Sequence, residues 1–175
     1  MLSFEKCGGL ILKTELNDKF GSYGVVGAVL LTTTLEADLS RWKDVLESAD
    51  LQGAEVGCVD IFTMSCRALG RGVEHAMISR IGSEMASNGC RWFGLKFQKK
   101  ERNQPVHRFL EWVMHQTEGY TAAEGYILHS ERAAKIEFDA SLPLNMLSGS
   151  DSMENGQGHA QHSSGSEEAF TPAQV

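Results

Sequence analysis

The chain has 175 residues, 42% of them apolar and 22% charged, with a formal net charge of −7. That length carries one domain of about 100–150 residues plus a tail, and it buries a core without a disulfide or metal staple. The acidic balance argues against a duplex nucleic-acid binder, which needs a basic stripe for the phosphates. The longest apolar run, Val25–Leu31, is far short of the ~20 residues that cross a bilayer.

Four cysteines, Cys7, Cys58, Cys66 and Cys90, form no C-x-x-C pair, so no metal site is expected. Met1–Leu12 has neither a long apolar stretch nor an A-x-A site. The expectation is therefore a cytoplasmic protein with reduced thiols and no membrane segment.

In chain order, Leu10–Glu15 alternates as a strand does, and Gly21-Ser22-Tyr23-Gly24 carries turn chemistry. Val25–Thr34 is β-branched and apolar, the composition of a buried strand. Ala37–Ala49 reads as a short helix or an irregular excursion, with Leu39, Trp42, Val45 and Leu46 on one side, and Asp50–Ala54 as a loop. Val56–Ser65 is a second buried strand, followed by a loop over Cys66–Gly72. Val73–Ser87 is the clearest helix: Val73, Met77, Ile81 and Met85 recur every fourth residue with Ala76 beside them, and Asn88-Gly89 stops it. Cys90–Phe97 is a strand with Trp92, Leu95 and Phe97 as its apolar members, and Gln98–Gln104 is a charged loop. Pro105–Met114 is a helix opened by its proline. Tyr126–His129 and Lys135–Phe138 are weak closing strands. Cys58 and Cys90, inside strands, read as core; His75 and His107, on helices, read as surface.

This order of strands and helices is that of an α/β (α+β) layer fold with a central sheet flanked by helices. Ser148–Val175 is rich in Ser, Gly, Glu, Gln and His, with Phe170 as its only aromatic residue. Such a segment cannot bury enough apolar surface to offset its ordering entropy. Residues 1–147 are therefore expected to form the domain and 148–175 a disordered C-terminal tail, with His159 and His162 as solvated tail histidines.

The informative stretch runs from Val59 to Glu74. A strand enters a glycine-bearing loop, and the loop opens a helix. Unpaired N–H groups of the helix start then point at one spot, with the positive end of the helix dipole behind them. Gly70 and Gly72 let the backbone approach an anion closely, and Arg67 and Arg71 add charge, so a phosphate or pyrophosphate suits the site. The spacing, R-x-x-G-x-G over Arg67–Gly72, is neither a Walker loop nor a dinucleotide fingerprint. A helix start with two helpful glycines has the same spacing.

These residues resemble the acyl-CoA pyrophosphate loop of the GNAT acyltransferase superfamily. With their flanks (Phe20-Gly21-x-Tyr23-Gly24-x-Val26-Gly27, the run Ser65-Cys66-Arg67-x-Leu69-Gly70-Arg71-Gly72-Val73-Glu74, and Asn103-x-Pro105-Val106 with Phe109) they look like the C-terminal, GNAT-like half of FkbH-type proteins. The resemblance covers residues 8 to 112. It implies a GNAT-like central mixed sheet flanked by helices, and a ligand that is acyl-CoA or a phosphopantetheine thioester on an acyl carrier protein. FkbH-type proteins add an N-terminal haloacid-dehalogenase-like (HAD-like) domain and load a glyceryl unit for polyketide assembly. This chain carries no Asp-x-Asp motif, so a HAD-like phosphatase domain would be a separate partner. GNAT enzymes commonly place an acid Tyr on the helix after the Asn; the matching position here is Leu110. The family's Gly-Glu-Tyr segment reads Gly94-Leu95-Lys96.

The cofactor-binding set that follows is Phe62, Met64, Arg67, Leu69, Gly70, Arg71, Gly72 and Asn103. Arg67 pairs with a pyrophosphate or with a local carboxylate, and Arg71 with the ligand or with solvent. Asn103 contacts the pantetheine arm by resemblance, or serves its own helix start. Two catalytic candidates remain. Asp60, which by period 2 shares a face with Phe62 and Met64, is a general base or a structural carboxylate. Cys66, beside Arg67 at a helix start, is an acyl-accepting thiolate or a small buried residue. Glu74 in the first helical turn complements the dipole. Lys96, Lys99, Lys100, Arg102 and Arg108 form a basic patch in an acidic chain. It is either a solvated face or a landing site for a carrier protein or the 3′-phosphate of CoA. The functional alternatives are an acyltransferase and a non-catalytic module that docks CoA or an acyl carrier protein.

Deleting Ser148–Val175 is expected to leave the unfolding free energy within about 1 kcal/mol of the full chain, since such a segment buries little. Urea denaturation of both chains measures this, and a larger fall would show that the segment docks.

Overall fold

The computed structural model describes residues 3–4, 9–33, 40–51 and 53–138. The expected tail, 148–175, lies outside the described residues, as does Cys7. The strands are β1 (Ser3–Phe4), β2 (Gly9–Asp18), β3 (Gly21–Thr32), β4 (Val56–Met64), β5 (Trp92–Lys96), β6 (Tyr120–Ala122) and β7 (Gly125–His129). The helices are α1 (Lys43–Ser48), α2 (Val73–Ser87), α3 (Gln104–Gln116) and α4 (Ser130–Ala133), with short 3-10 turns at Ser40–Trp42, Cys66–Ala68 and Glu101–Asn103. The strands form one seven-stranded sheet in the order β1-β2-β3-β4-β5-β7-β6. Every neighbouring pair is antiparallel except β4 and β5, which are parallel. The expected α/β class, a central mixed sheet flanked by helices, is the one observed.

The β2–β3 hairpin corrects the sequence reading of its turn. Asp18 pairs with Gly21, so the turn is Lys19-Phe20, and the Phe20 N–H donates to Asp18 Oδ1 at 2.7 Å. Gly21 to Gly24 lie inside β3, where the register skips Tyr23 and Val26. The two extra residues are accommodated as bulges, which bend and twist the strand.

Two apolar clusters sit on opposite faces of the sheet. Trp42, Val56, Cys58, Trp92 and Ile127 form the smaller one, against which Val45 and Leu46 of α1 pack. The larger cluster joins Val29, Leu31 and Val59 of the sheet to α2 and α3. From α2 it takes the expected stripe Val73, Met77, Ile81 and Met85, and Ile78 as well; burying each such side chain stabilises by about 1.5–3 kcal/mol. Ala76 is on the exposed side of the helix.

Helix α2 is buried on a second side. Glu74, His75 and Gly82 are buried, and α4 crosses the helix at Gly82. Ser79 Oγ donates to the Ala134 carbonyl at 2.8 Å. Lys135–Phe138, expected as a strand, is therefore not one: α4 lifts the chain out of the sheet and over α2, and the edge strand is β6. Cys90 is buried but lies between α2 and β5 rather than in a strand. Among the described residues, no helix is long and apolar enough to cross a membrane.

At Gly82 a Cβ would stand 2.5 Å from the Ala134 nitrogen and 2.6 Å from the Ser130 carbonyl oxygen. Helix propensity alone predicts that Gly82→Ala stabilises by up to about 1 kcal/mol. The backbone contact predicts the opposite sign, a loss of about 1–3 kcal/mol. Urea denaturation of the variant decides between them.

Candidate functional site

The parallel pairing of β4 with β5 covers only Val56–Val59 against Trp92–Leu95. Strand β4 continues to Met64, still paired with β3 through Gly27. On its β5 side, the stretch Asp60–Met64 has no strand partner among the described residues. That unpaired edge lies toward the carboxyl ends of the two parallel strands. That is the usual position of ligand sites in parallel sheets.

The same stretch contains a bulge. Leu31 pairs with Val59 and Leu30 with Ile61, so Asp60 is the extra residue. The bulge reverses the alternation, and Phe62 and Met64 pack on the larger cluster together with Val59. The expectation that Asp60 shares their face is thereby corrected. Asp60 is exposed and accepts a hydrogen bond at 2.5 Å from the hydroxyl of Thr32, the residue that pairs with Cys58.

Strand β4 ends at Met64, one residue before Ser65, whose Oγ accepts from the Arg67 N–H at 3.4 Å. This starts the 3-10 turn Cys66–Ala68. Gly70 and Gly72 have φ of 74° and 78°, a conformation that costs other L-residues about 1–2 kcal/mol. Gly72 is the N-cap of α2, so the N–H groups of Val73, Glu74 and His75 have no acceptor within the helix. The loop that the sequence predicts is thus a turn with two left-handed glycines leading into the positive end of a fifteen-residue helix.

The predicted site residues divide as follows. Phe62, Met64 and Leu69 are half-buried, and Cys66 and Arg67 are exposed. Arg71 turns to the β2–β3 hairpin, where its Nη1 is 3.2 Å from Asp18 Oδ2 and 3.2 Å from the Tyr23 hydroxyl. Tyr23 in turn donates to Asp18 at 2.9 Å. The Phe20 N–H chiefly, with Tyr23 and Arg71, holds the Asp18 carboxyl below the usual range. Asn103 closes its own loop: Oδ1 accepts from the Lys100 N–H at 2.7 Å, and Nδ2 donates to the Gln98 carbonyl at 2.9 Å. That loop follows β5, so Asn103 and the glycine loop lie at the same end of the parallel pair. Lys99, Lys100 and Arg102 are exposed there, Lys96 is 3.8 Å from Glu124, and Arg108 is half-buried and partnered.

The sequence reading missed the pair Glu74 and His75. His75, expected on the surface, is 3% exposed, and Glu74 is fully buried. The imidazole ring meets Phe109, Trp112 and Phe138 edge-on, at centroid distances of 4.9, 5.4 and 5.4 Å. Its Nδ1 is 3.6 Å from Glu74 Oε1. Glu74 Oε1 also accepts from the Gly70 N–H at 3.0 Å, whereas Glu74 Oε2 and His75 Nδ1 have no hydrogen-bond partner. The available signal was the row His75, Ser79, Gly82: two small residues following His75 at helical spacing mark a second packed face.

A separate groove of about 760 Å³ runs between the β2–β3 hairpin and α2, lined by Leu12, Val25, Val29 and Met77 with Lys13 and Arg80 at its rim. It contains none of the predicted site residues.

No protein-family model matches the sequence, and no curated protein matches it. Among solved structures, the chain is similar to a protein from Desulfovibrio desulfuricans assigned to the GNAT acetyltransferase family. The identity is 12%, the TM-score 0.48, and the match covers 71% of this chain and 70% of that one.

Burial lowers the pKa of His75, with Glu74 opposing it, and burial likewise lowers that of His129. Between those lowered values and the ordinary imidazole value of about 6.5, the unfolded chain binds more protons than the folded one. Stability is therefore full above that window and falls as pH drops through it. The unfolding free energy should decline on acidification from pH ~7.5 to ~5, and decline less in His75→Gln. An unchanged slope in the variant would remove His75 from the account.

Proposed function

We propose that residues 1–147 form a GNAT-like acyltransferase-type domain that binds acyl-CoA or a phosphopantetheine-borne thioester. The observation that supports this is the unpaired edge of Asp60–Met64 leading directly into a glycine loop and a helix N-terminus. An extended amide-bearing arm adds to such an edge as a further strand does, and the phosphate end of the same arm suits the helix start. Phe62, Met64 and Leu69 would pack the arm, Gly70, Gly72 and Arg67 would face the pyrophosphate, and Asn103 would face the arm from the β5 side. Arg71 would reach the ligand only by leaving Asp18. Lys99, Lys100 and Arg102 suit a 3′-phosphate or the acidic surface of an acyl carrier protein.

For transfer, Cys66 is the nucleophile in this reading. Its sulfur forms a new C–S bond to the acyl carbonyl carbon, the donor's C–S bond breaks, and the thiol proton ends on the departing sulfur. Asp60 would serve as base for a later acceptor. The FkbH-type resemblance would set this reaction in secondary-metabolite assembly beside a separate HAD-like phosphatase domain.

A second reading is a non-catalytic module that docks CoA or an acyl carrier protein. Leu110, at the position where GNAT enzymes carry an acid Tyr, is fully buried in the core, and Asp60 is hydrogen-bonded to Thr32.

The test is intact mass spectrometry and free-thiol release with a panel of acyl-CoA and acyl-carrier thioesters, alongside alkylation of the cysteines with and without CoA. Bound donor with acyl-Cys66 or product supports the enzyme. Bound donor without turnover supports the module. CoA should slow alkylation of the exposed Cys66, while the buried Cys58 and Cys90 stay inert. Neither binding nor protection refutes both readings.

A further inference from the structure

The glycine loop already has occupants. Gly70 offers its N–H to the loop hollow, and Glu74 Oε1 takes it at 3.0 Å. Glu74 is fully buried, and its second oxygen has no partner. A buried carboxylate with idle acceptor capacity is costly, so its placement at a helix N-terminus calls for an explanation. The titratable group beside it is His75, at 3.6 Å, which burial holds toward its neutral form. The Glu74 side chain is held instead by the Gly70 N–H, in the first turn of α2. An external phosphate would use those same groups.

Gly72 is covered too. A Cβ on it would stand 2.7 Å from the Phe138 ring, so the ring rests directly on the glycine backbone. Phe138 is 48% exposed and makes an edge contact with His75 at a centroid distance of 5.4 Å. It is a lightly held cover, in contrast to the fully buried Phe93 or Leu95 of β5.

We infer that in the resting protein the glycine loop is closed by its own side chains. Glu74 holds the place of an incoming phosphate and Phe138 covers the second glycine, so a phosphate-bearing donor binds by displacing both. The inference rests on the reading of this loop as a phosphate site. A phosphate and a buried carboxylate cannot share one N–H cluster without strong repulsion, so the internal carboxylate sets the affinity and excludes weakly held anions. A partner that draws the Phe138 segment away would open the loop.

The experiment is isothermal titration of the full chain with CoA, comparing wild type, Glu74→Gln, Phe138→Ala and the double variant, with thermal melting to verify folding. Gln keeps an oxygen for the Gly70 N–H but removes the charge. Glu74→Gln should lower Kd at least tenfold, Phe138→Ala at least threefold, and the double variant should lower it further. A folded Glu74→Gln whose Kd equals or exceeds that of the wild type overturns the inference, while CoA binding by the wild type leaves the phosphate-site reading standing. If Glu74→Gln does not fold, Phe138→Ala decides, and an unchanged or weaker Kd overturns it. Absence of CoA binding in every folded form overturns the phosphate-site reading and this inference with it.

Discussion

The architecture depends on where the parallel pairing of β4 and β5 stops. The β4–α2–β5 crossover places the two strands side by side and parallel, but they share only Val56–Val59 and Trp92–Leu95. Beyond that, β4 stays bonded to β3, while β5, paired with β7 along its whole length on its other edge, ends at Lys96 opposite Gly125. On the β5 side, the polar backbone groups of Asp60–Met64 thereby have no strand partner among the described residues and are open to a ligand or to water. The bulge at Asp60 acts on the same stretch. It turns Phe62 and Met64 onto the α2 face and sets Asp60 against Thr32. Pairing and bulge together give an apolar floor, an open hydrogen-bonding edge and a helix N-terminus in one continuous run of chain.

Helix α2 carries two burdens. Its sheet side supplies Val73, Met77, Ile81 and Met85 to the main core. Its other side takes α4 at Gly82 and the aromatic group around His75. Packing on both sides fixes the first turn of the helix in place, which is what a preorganised anion site requires. The same packing brings Glu74 and Phe138 against the two glycines of the loop. The groups packed against the loop thus also occupy it, and on the proposed reading affinity at this site would be a competition between internal and external groups rather than a property of the loop alone.

Much of the scaffold was legible in the sequence, because local patterns dictate it. The four-residue repeat from Val73 and the Asn88-Gly89 stop fixed α2 at its observed bounds, Val73–Ser87. The β-branched runs gave β3 and β4 to within a few residues, and the glycine spacing placed the turn before α2. Pro105 marked the start of α3 correctly to one residue. Each of these depends on periodicity, propensity or backbone conformation, which act over neighbouring residues.

What only the tertiary structure decided concerns contacts between segments distant in sequence. The strand partners of β4 end partway along its length, and no local signal marks that point. Asp60 changes face because β3 and β4 differ by one residue in register, a property of the pair and of neither strand alone. His75 is buried because α3 and the segment after α4 both close on it. Lys135–Phe138 leaves the sheet because Gly82, over fifty residues earlier, lets α4 cross α2 backbone to backbone. Sequence pattern determined which residues form each element. Packing between elements determined which side chains meet at the glycine loop, since burial and register are set by the partner and not by the residue's own neighbours.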